Sequence, residues 1–244
     1  MKDNAYSALA PHYERLINSC DYEQWSQYLF NRLEKYSKGK TGCDLACGSG
    51  YFTRALKKRG YDVYGVDKSI EMLNEARALC QSEGIFVEFQ QQDLKGFKTF
   101  KKLDFITVIN DGINYVEQKS LKSVIKSVRT ALKKDGVLIF DFSSEYKLKQ
   151  ILGNNLYGED TDEVTYLWFN TDMGDRIKME LTFFTREGDK YSRRDETHEQ
   201  YVHTEQAVKA LLEENGFEVV EITGHLGKQL EKESERINFI AIKK

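Results

Sequence analysis

The sequence contains a single proline, Pro11, among 244 residues, so no proline-rich linker divides the chain. No apolar run approaches the roughly 20 residues that a membrane-spanning helix needs. The first residues, MKDNAYSALAPHYERL, lack the apolar stretch typical of a signal peptide. We therefore expect a cytoplasmic protein that does not associate with membranes, and its length suits one domain with additions or at most two small domains.

Motifs for metal binding and thiol redox chemistry are also missing. The four cysteines, Cys20, Cys43, Cys47 and Cys80, form no C-x-x-C pair. The four histidines show no H-E-x-x-H spacing. The cysteines are therefore expected to be small buried residues in a reducing compartment, and no metal site is predicted.

Neither positive nor negative charge is in large excess. Thirty-six lysines and arginines face 39 aspartates and glutamates, which gives a formal net charge of −3. The basic pairs are scattered and form no stripe along the sequence. A nucleic-acid partner is therefore disfavoured.

The sequence does contain a regular alternation of apolar patterns. Helical patterning covers residues 4–17 and 21–37, and the segments from residue 41 to 142 then alternate between strand and helix. This order predicts an α/β protein with a parallel sheet and helices on both faces. The predicted strands are TGCDLAC, YDVYGVD, IFVEFQQ, LDFITVIN and VLIFDF, and the helices between them are YFTRALKKRG, SIEMLNEARALCQSEG and QKSLKSVIKSVRTALKKDG.

The alternation stops after Phe142. Residues 163–203 consist of extended segments separated by the turns MGD and EGDK, which predicts a small antiparallel sheet. A helix over TEQAVKALLEENG follows, and the segments FEVVEITG and INFIAIKK are predicted to add a hairpin to the edge of the main sheet.

Two glycines, Gly48 and Gly50, follow the first predicted strand at its turn into a helix. A backbone without side chains can approach a ligand closely there. A nicotinamide or flavin fingerprint, G-x-G-x-x-G, would need glycine at the position of Thr53, and a P-loop is absent. The remaining pattern is an acidic strand end followed by two glycines.

This stretch, DLACGSG, resembles the first motif of class I S-adenosylmethionine-dependent methyltransferases. Further segments resemble the later motifs of that family in the same order: VYGVDKS, QQDL, FITVINDGINYV, LKKDGVLIFDF and LLEENGFEVVEI. The resemblance covers essentially the whole chain. It implies a Rossmann-like, seven-stranded methyltransferase sheet, S-adenosyl-L-methionine as cofactor and S-adenosyl-L-homocysteine as product.

The resemblance also implies roles for single residues. Asp67 would accept hydrogen bonds from the ribose diol, Asp93 and the backbone of Leu94 would read the adenine edge, and Asp44 would contact the amino group of the cofactor. The alternatives are an acid at a helix N-terminus for Asp67, a loop acid for Asp93 and a turn carboxylate for Asp44. The full predicted set of cofactor-binding residues is Tyr13, Asp44, Ala46, Cys47, Gly48, Gly50, Asp67, Lys68, Asp93, Leu94 and, near the methionine part, Asn110.

The N-terminal stretch YSALAPHYERL…YEQW resembles the helices that fold over the cofactor in a subgroup of these enzymes. Tyr6, Tyr13 and Trp25 are the candidate lid residues. Ordinary amphipathic packing of these helices is the alternative. The corresponding division of the chain is an N-terminal lid, 1–38, a cofactor-binding core, 39–150 with 204–244, and a substrate-side insertion, 151–203.

The acceptor is less well defined by the sequence. The loop NDGINY lacks the Pro-Pro pair of enzymes that methylate amines of planar bases, so that chemistry is disfavoured. A hydroxyl acceptor needs a base whereas a neutral amine does not, and Asp111 and His198 are the candidate bases. A metal held by Asp111 and Asp141 is rejected because Phe142 occupies the place of the accompanying Asn. The predicted substrate-binding residues are Tyr6, Asn114, Tyr115, Arg194 and Tyr201.

We therefore predict methyl transfer to nitrogen or oxygen of a small molecule by direct in-line displacement, in a monomer or homodimer. An RNA or protein methyltransferase of the same fold is the first alternative. A protein that binds S-adenosylmethionine without catalysis is the second. A nicotinamide oxidoreductase, disfavoured by Thr53, is the third.

Overall fold

The structure is a computed structural model, and it describes residues 21–244. The helix predicted over residues 4–17, with Tyr6 and Tyr13, lies outside the described residues. Within the described part of the chain, no helix combines the length and the apolar character needed to cross a membrane.

The centre of the molecule is a seven-stranded sheet in the order β3-β2-β1-β4-β5-β11-β10. Strands β1 to β5 are parallel to one another, and β11 runs antiparallel to both β5 and β10. The predicted parallel sheet with a C-terminal hairpin at its edge is thus confirmed. The strands are β1 (Thr41–Leu45), β2 (Asp62–Asp67), β3 (Phe89–Gln91), β4 (Leu103–Val108), β5 (Leu132–Ser143), β10 (Phe217–Thr223) and β11 (Arg236–Lys243).

Helices cover both faces of this sheet. Several begin at the caps that the sequence provides: the side chain of Ser69 accepts a hydrogen bond from the backbone of Met72, and Thr204 accepts one from Ala207. The helices are α1 (Tyr22–Tyr36), α2 (Tyr51–Lys58), α3 (Ile70–Ser82), α4 (Gln118–Ala131) and α5 (Glu205–Glu214). Short helical turns cover Leu94–Gly96, Gly112–Tyr115, Lys147–Leu152 and His225–Gly227.

Neighbouring strand residues belong to different apolar cores. Phe105 packs in the core beneath α1 and α2, whereas the next residue, Ile106, packs in the core beneath α4 and α5. Ile139 and Phe140 on β5 divide in the same way. Both faces of the sheet are therefore buried, which explains why the central strands are nearly continuous apolar runs.

The boundary between α4 and β5 differs from the prediction. The helix expected to continue through Lys133 and Lys134 ends at Ala131, and β5 begins at Leu132. The strand begins at Leu132 because this residue, at the N-terminal end of β5, pairs with Leu103 of β4.

A second, four-stranded antiparallel sheet follows β5, in the order β6-β7-β8-β9. It confirms the antiparallel segments predicted for residues 163–203 and adds β6, which the prediction missed. Its strands are β6 (Leu156–Asp160), β7 (Val164–Asp172), β8 (Arg176–Glu187) and β9 (Lys190–Tyr201). One face of this sheet, called the inner face below, packs on the turn Lys147–Leu152 and is defined by Val164, Tyr166, Trp168, Ile177, Met179, Leu181 and Phe183.

We predict that Gly42→Ala lowers the free energy of unfolding by about 1–3 kcal/mol, as overpacking of a buried core usually does. A Cβ at Gly42 would lie 2.2 Å from ring atoms of the fully buried Phe105. Gly96→Ala is the matched control, because a Cβ there meets no atom within 4 Å. Chemical denaturation measures both, and equal stability of the two variants would contradict this packing of β1 on β4.

Candidate functional site

Two cavities adjoin at the carboxyl ends of the parallel strands, where ligands bind in open α/β sheets. The first has a volume of about 420 Å³ and lies over β1, β2 and the turn after β3. The second has a volume of about 830 Å³ and lies between the inner face of the small sheet and the segment before β11. Asn110 and Tyr115 line both cavities and mark the place where they meet.

The turn between β1 and α2 brings bare backbone to the first cavity. Ala46 and Gly48 line it and have left-handed backbone angles, with φ of 54° and 55°. Gly50 differs from the prediction, since it is not among the residues that line this cavity. It is the N-cap of α2 with φ of 75°, and a Cβ there would lie 3.0 Å from the ring of Phe89. Gly50 therefore serves helix packing and the turn.

The Asp67 carboxylate at the end of β2 lies against this turn. Its Oδ2 accepts a hydrogen bond from the Gly48 N–H at 2.8 Å, and its Oδ1 accepts one from the Ser69 N–H at 2.9 Å. Burial raises the pKa of Asp67, and the two backbone N–H groups act against that rise. Each carboxylate oxygen has a further lone pair, so Asp67 can accept two more hydrogen bonds from a diol.

The opposite end of the first cavity is formed by the turn after β3. Asp93 and Leu94 line it, together with the apolar side chains of Met72 and Val116. Oδ1 of Asp93 accepts a hydrogen bond from the Lys95 N–H at 2.9 Å, which fixes the start of the turn. Lys68 also lines the cavity, and its Nζ lies 3.6 Å from Oδ2 of Asp93.

Asp44 lies at the floor of the first cavity and is 2% exposed. Its carboxylate accepts hydrogen bonds from the hydroxyls of Thr53, at 2.6 Å, and Thr107, at 2.8 Å. Burial raises the pKa of Asp44 to about 6. Thr53, which departs from the dinucleotide fingerprint, thus has a defined role, because it holds this carboxylate.

The first cavity also contains the Cys47 thiol and two aromatic side chains. Burial raises the pKa of the Cys47 thiol well above its ordinary value, so this lining residue stays protonated and apolar in character. The rings of Tyr22 and Tyr51 lie 4.2 Å apart, and both line the cavity. The position of Tyr51 at the start of the helix after the glycine turn was the available signal for this aromatic wall.

Asn110 and Asp111 form a strained turn after β4, each with φ of 69°. Asp141 of β5 holds this turn by accepting hydrogen bonds from both backbone N–H groups. The guanidinium of Arg236 donates to both Asp141 and Asp111, the latter at 2.7 Å. Sequence reasoning missed Arg236, because the pair joins residues 125 positions apart.

The position of Asp111 bears on its predicted role as a base. Burial acts to raise the pKa of Asp111, but the Arg236 guanidinium holds it below its ordinary value. Oδ1 of Asp111 also accepts a hydrogen bond from the Ser143 hydroxyl at 3.0 Å. An ionised carboxylate that is already paired is a weak proton acceptor, so this geometry favours the other candidate base.

That candidate, His198, lies on the inner face of the small sheet and lines the second cavity. It is 4% exposed, and its Nε2 lies 3.0 Å from Oε2 of Glu196, which is 2% exposed. Its Nδ1 lies 3.4 Å from Oη of Tyr115. Sequence reasoning missed Glu196, although two polar residues at alternate positions of one strand share a face.

Three predicted substrate-binding residues are placed away from the cavities. Asn114 is fully buried, and its amide donates to the carbonyls of Ser143 and Tyr201 at 3.2 and 3.0 Å, so it ties β9 to β5. Tyr201 lies on the face of β9 opposite His198, since strand side chains alternate. Arg194 is exposed, further from the main sheet along β9. None of these three side chains lines either cavity.

Trp25, a candidate lid residue, lies in α1 and is 1% exposed. It packs edge-on against Phe52 and His225, and the Arg236 guanidinium lies 5.7 Å from its ring centroid. Because Trp25 also lines the second cavity, α1 forms part of the cavity wall as well as the core.

Comparison with known proteins matches residues 43–136 to a family model described as a methyltransferase domain. A protein of Geobacillus sp. (strain WCH70), named as a methyltransferase, is 33% identical over 98% of this chain and 99% of its own length. The Bacillus subtilis (strain 168) protein YqeM, also named as a methyltransferase, is 30% identical over 98% of this chain and 97% of its own length.

A solved structure gives the same assignment. The S-adenosylmethionine-dependent methyltransferase from Clostridium acetobutylicum ATCC 824 superimposes with a TM-score of 0.90 and is 34% identical over 98% of this chain and 99% of that one. The likeness extends over the small antiparallel sheet as well as the cofactor-binding core, since it spans nearly the whole of both chains. With its glycine turn, acidic strand ends and seven-stranded sheet, the chain belongs to the class I S-adenosylmethionine-dependent methyltransferases.

Proposed function

We propose that this enzyme methylates an oxygen or nitrogen atom of a small molecule that binds in the second cavity. The observation that carries the proposal is the junction at Asn110 and Tyr115, where the first cavity opens next to a second one of about 830 Å³. That volume falls within the range of about 300–1,000 Å³ that small-molecule sites usually have.

The residues of the first cavity fit S-adenosylmethionine. Asp67 offers acceptors to a ribose diol, and the missing side chain at Gly48 leaves the backbone open beside it. Met72 and Val116 provide apolar contacts for a flat base near Asp93 and Leu94. Asp44 offers a carboxylate to an ammonium group. When bound, the cofactor supplies a methyl group on a sulfonium, which is already an activated electrophile.

The chain therefore has only to align the acceptor, exclude water and take up a proton where the acceptor loses one. Asn110, held in its strained turn by Asp141, lies at the junction and is the residue that we assign to orienting the methionine end. Tyr115 lies beside it and contacts the acceptor. His198 takes up the proton, and Asp111 holds Arg236 in the wall of the second cavity.

The walls of the second cavity favour a small molecule over RNA. Lys147, Lys228 and Arg236 are offset by Asp111 and by three glutamates in the segment before β11, Glu231, Glu233 and Glu235. A site for a polyphosphate backbone would need an excess of positive charge. The inner face contributes apolar and aromatic side chains, which suit a compact organic acceptor.

A panel of acceptors tests this function through the release of S-adenosylhomocysteine. We expect turnover with small hydroxyl or amine compounds and none with RNA or unstructured peptides. Methylation of RNA or peptide alone would contradict the proposal. Cofactor binding without turnover of any small acceptor would support the non-catalytic alternative instead.

We predict that Asp67→Asn weakens S-adenosylmethionine binding about 10- to 100-fold, the usual effect of losing a hydrogen bond to a charged group. Asp62→Asn is the matched control, since Asp62 begins the same strand and is exposed. Isothermal titration calorimetry measures both variants, and thermal unfolding verifies that each is folded. Equal affinity of the two variants would show that the carboxylate of Asp67 does not hold the cofactor.

We also predict that affinity for S-adenosylmethionine falls as the pH drops through about 6, the raised pKa of Asp44. Above that pH the carboxylate is ionised and attracts the ammonium group; below it the proton removes the attraction. Asp44→Asn should bind more weakly and lose this pH step. Binding titrations of wild type and variant with S-adenosylmethionine across this pH range test the prediction. The same loss of affinity in both proteins would show that a group other than Asp44 causes it.

A further inference from the structure

We propose that Glu196 and His198 form a dyad that takes the proton from a hydroxyl group on an aromatic acceptor, so that the reaction is an O-methylation. The inference rests on the proposed function, because it names the acceptor class of the second cavity. His198 is the catalytic residue, and Glu196 is a positioning residue that acts through it. Tyr115, which lines both cavities, lies beside His198.

The contact with Glu196 orients the His198 ring. Nε2 of His198 lies 3.0 Å from Oε2 of Glu196, and an ionised Glu196 would accept the proton of that nitrogen in a hydrogen bond. Nδ1 then has a lone pair, and it faces Oη of Tyr115 at 3.4 Å. This separation is long for an O–H···N hydrogen bond, so an acceptor hydroxyl competes with a weak contact.

The dyad lies on an otherwise apolar part of the small sheet. Glu196 lies opposite Leu181 on β8, and His198 lies opposite Met179, both on the apolar inner face. Burying a carboxylate there is costly, and an apolar pair of similar size would usually be at least as stable. A buried acid that orients a histidine beside a cavity is the arrangement that proton abstraction requires.

The presence of a base beside the cavity indicates which group of the acceptor reacts. A neutral amine attacks through its lone pair, whereas a hydroxyl becomes a good nucleophile only as its proton leaves. The O–H bond breaks with its proton going to Nδ1 of His198, its electron pair forms the bond to the methyl carbon, and the electrons of the breaking carbon–sulfur bond remain on sulfur as a thioether. The imidazolium formed faces the Glu196 carboxylate, which stabilises it.

The walls beside the dyad indicate the body of the acceptor. Tyr166, Trp168 and Phe183 line the second cavity on the same face of the small sheet as His198. Aromatic rings pack with other flat rings in offset or edge-on arrangements. A phenol therefore fits the site, with its ring on this aromatic wall and its hydroxyl at Nδ1.

4-Nitrophenol is a direct probe, because its phenolate absorbs at a longer wavelength than the neutral phenol. We expect wild-type enzyme, without cofactor and buffered below the solution pKa of the probe, to bind it as the phenolate. His198→Gln should bind the neutral form, and Glu196→Gln should give a smaller phenolate fraction. Glu199→Gln is the matched control, because Glu199 lies on the opposite face of the same strand. The proposal is overturned if wild type binds the neutral form of 4-nitrophenol, or if it does not bind the probe.

Turnover measurements provide a second test of the dyad. With a phenol acceptor, His198→Gln should lower kcat about 100-fold or more, the usual contribution of a positioned base, while cofactor affinity stays unchanged. Methylation of amines but not of hydroxyl compounds by wild type would overturn the dyad and leave the proposed function intact. No methylation of any small molecule would overturn the proposed function itself.

Discussion

The hydrogen bond between the Asp67 carboxylate and the Gly48 N–H is the interaction on which the site depends. It joins the turn after β1 to the end of β2, and the second oxygen of Asp67 accepts from Ser69 at the start of α3. Two neighbouring strands of a parallel sheet are thereby fixed at their carboxyl ends, with an acidic group beside a stretch of bare backbone. An adenosyl group needs that combination, because it has a diol to bind and no pyrophosphate.

A second set of buried contacts fixes the other half of the site. Asp141 and Arg236 hold the strained turn at residues 110 and 111, and Asn114 ties the small sheet to β5. The small sheet then presents an apolar face with His198 and Glu196 embedded in it. The second cavity is therefore built from segments distant in sequence, and Asn110 and Tyr115 lie where it meets the first.

The sequence predicts the arrangement of the first cavity better than that of the second, for a physical reason. Parallel strands place their carboxyl ends together, so the order of motifs is enough to bring Gly48, Asp67 and Asp93 to one edge. The second cavity depends on the register of antiparallel strands, which decides that His198 faces the cavity whereas Tyr201 does not. Residues that pair across a long stretch of sequence, such as Arg236 and Asp111, produce no local sequence pattern from which the pair could be predicted.

The most direct test of this account is a crystal structure with S-adenosylhomocysteine and a phenol bound together. We expect ribose hydroxyls within hydrogen-bond distance of the Asp67 carboxylate, and the phenol oxygen beside Nδ1 of His198, on a line with the cofactor sulfur. A nucleoside bound away from Asp67, or a phenol seated with its hydroxyl away from the junction at Asn110 and Tyr115, would contradict it.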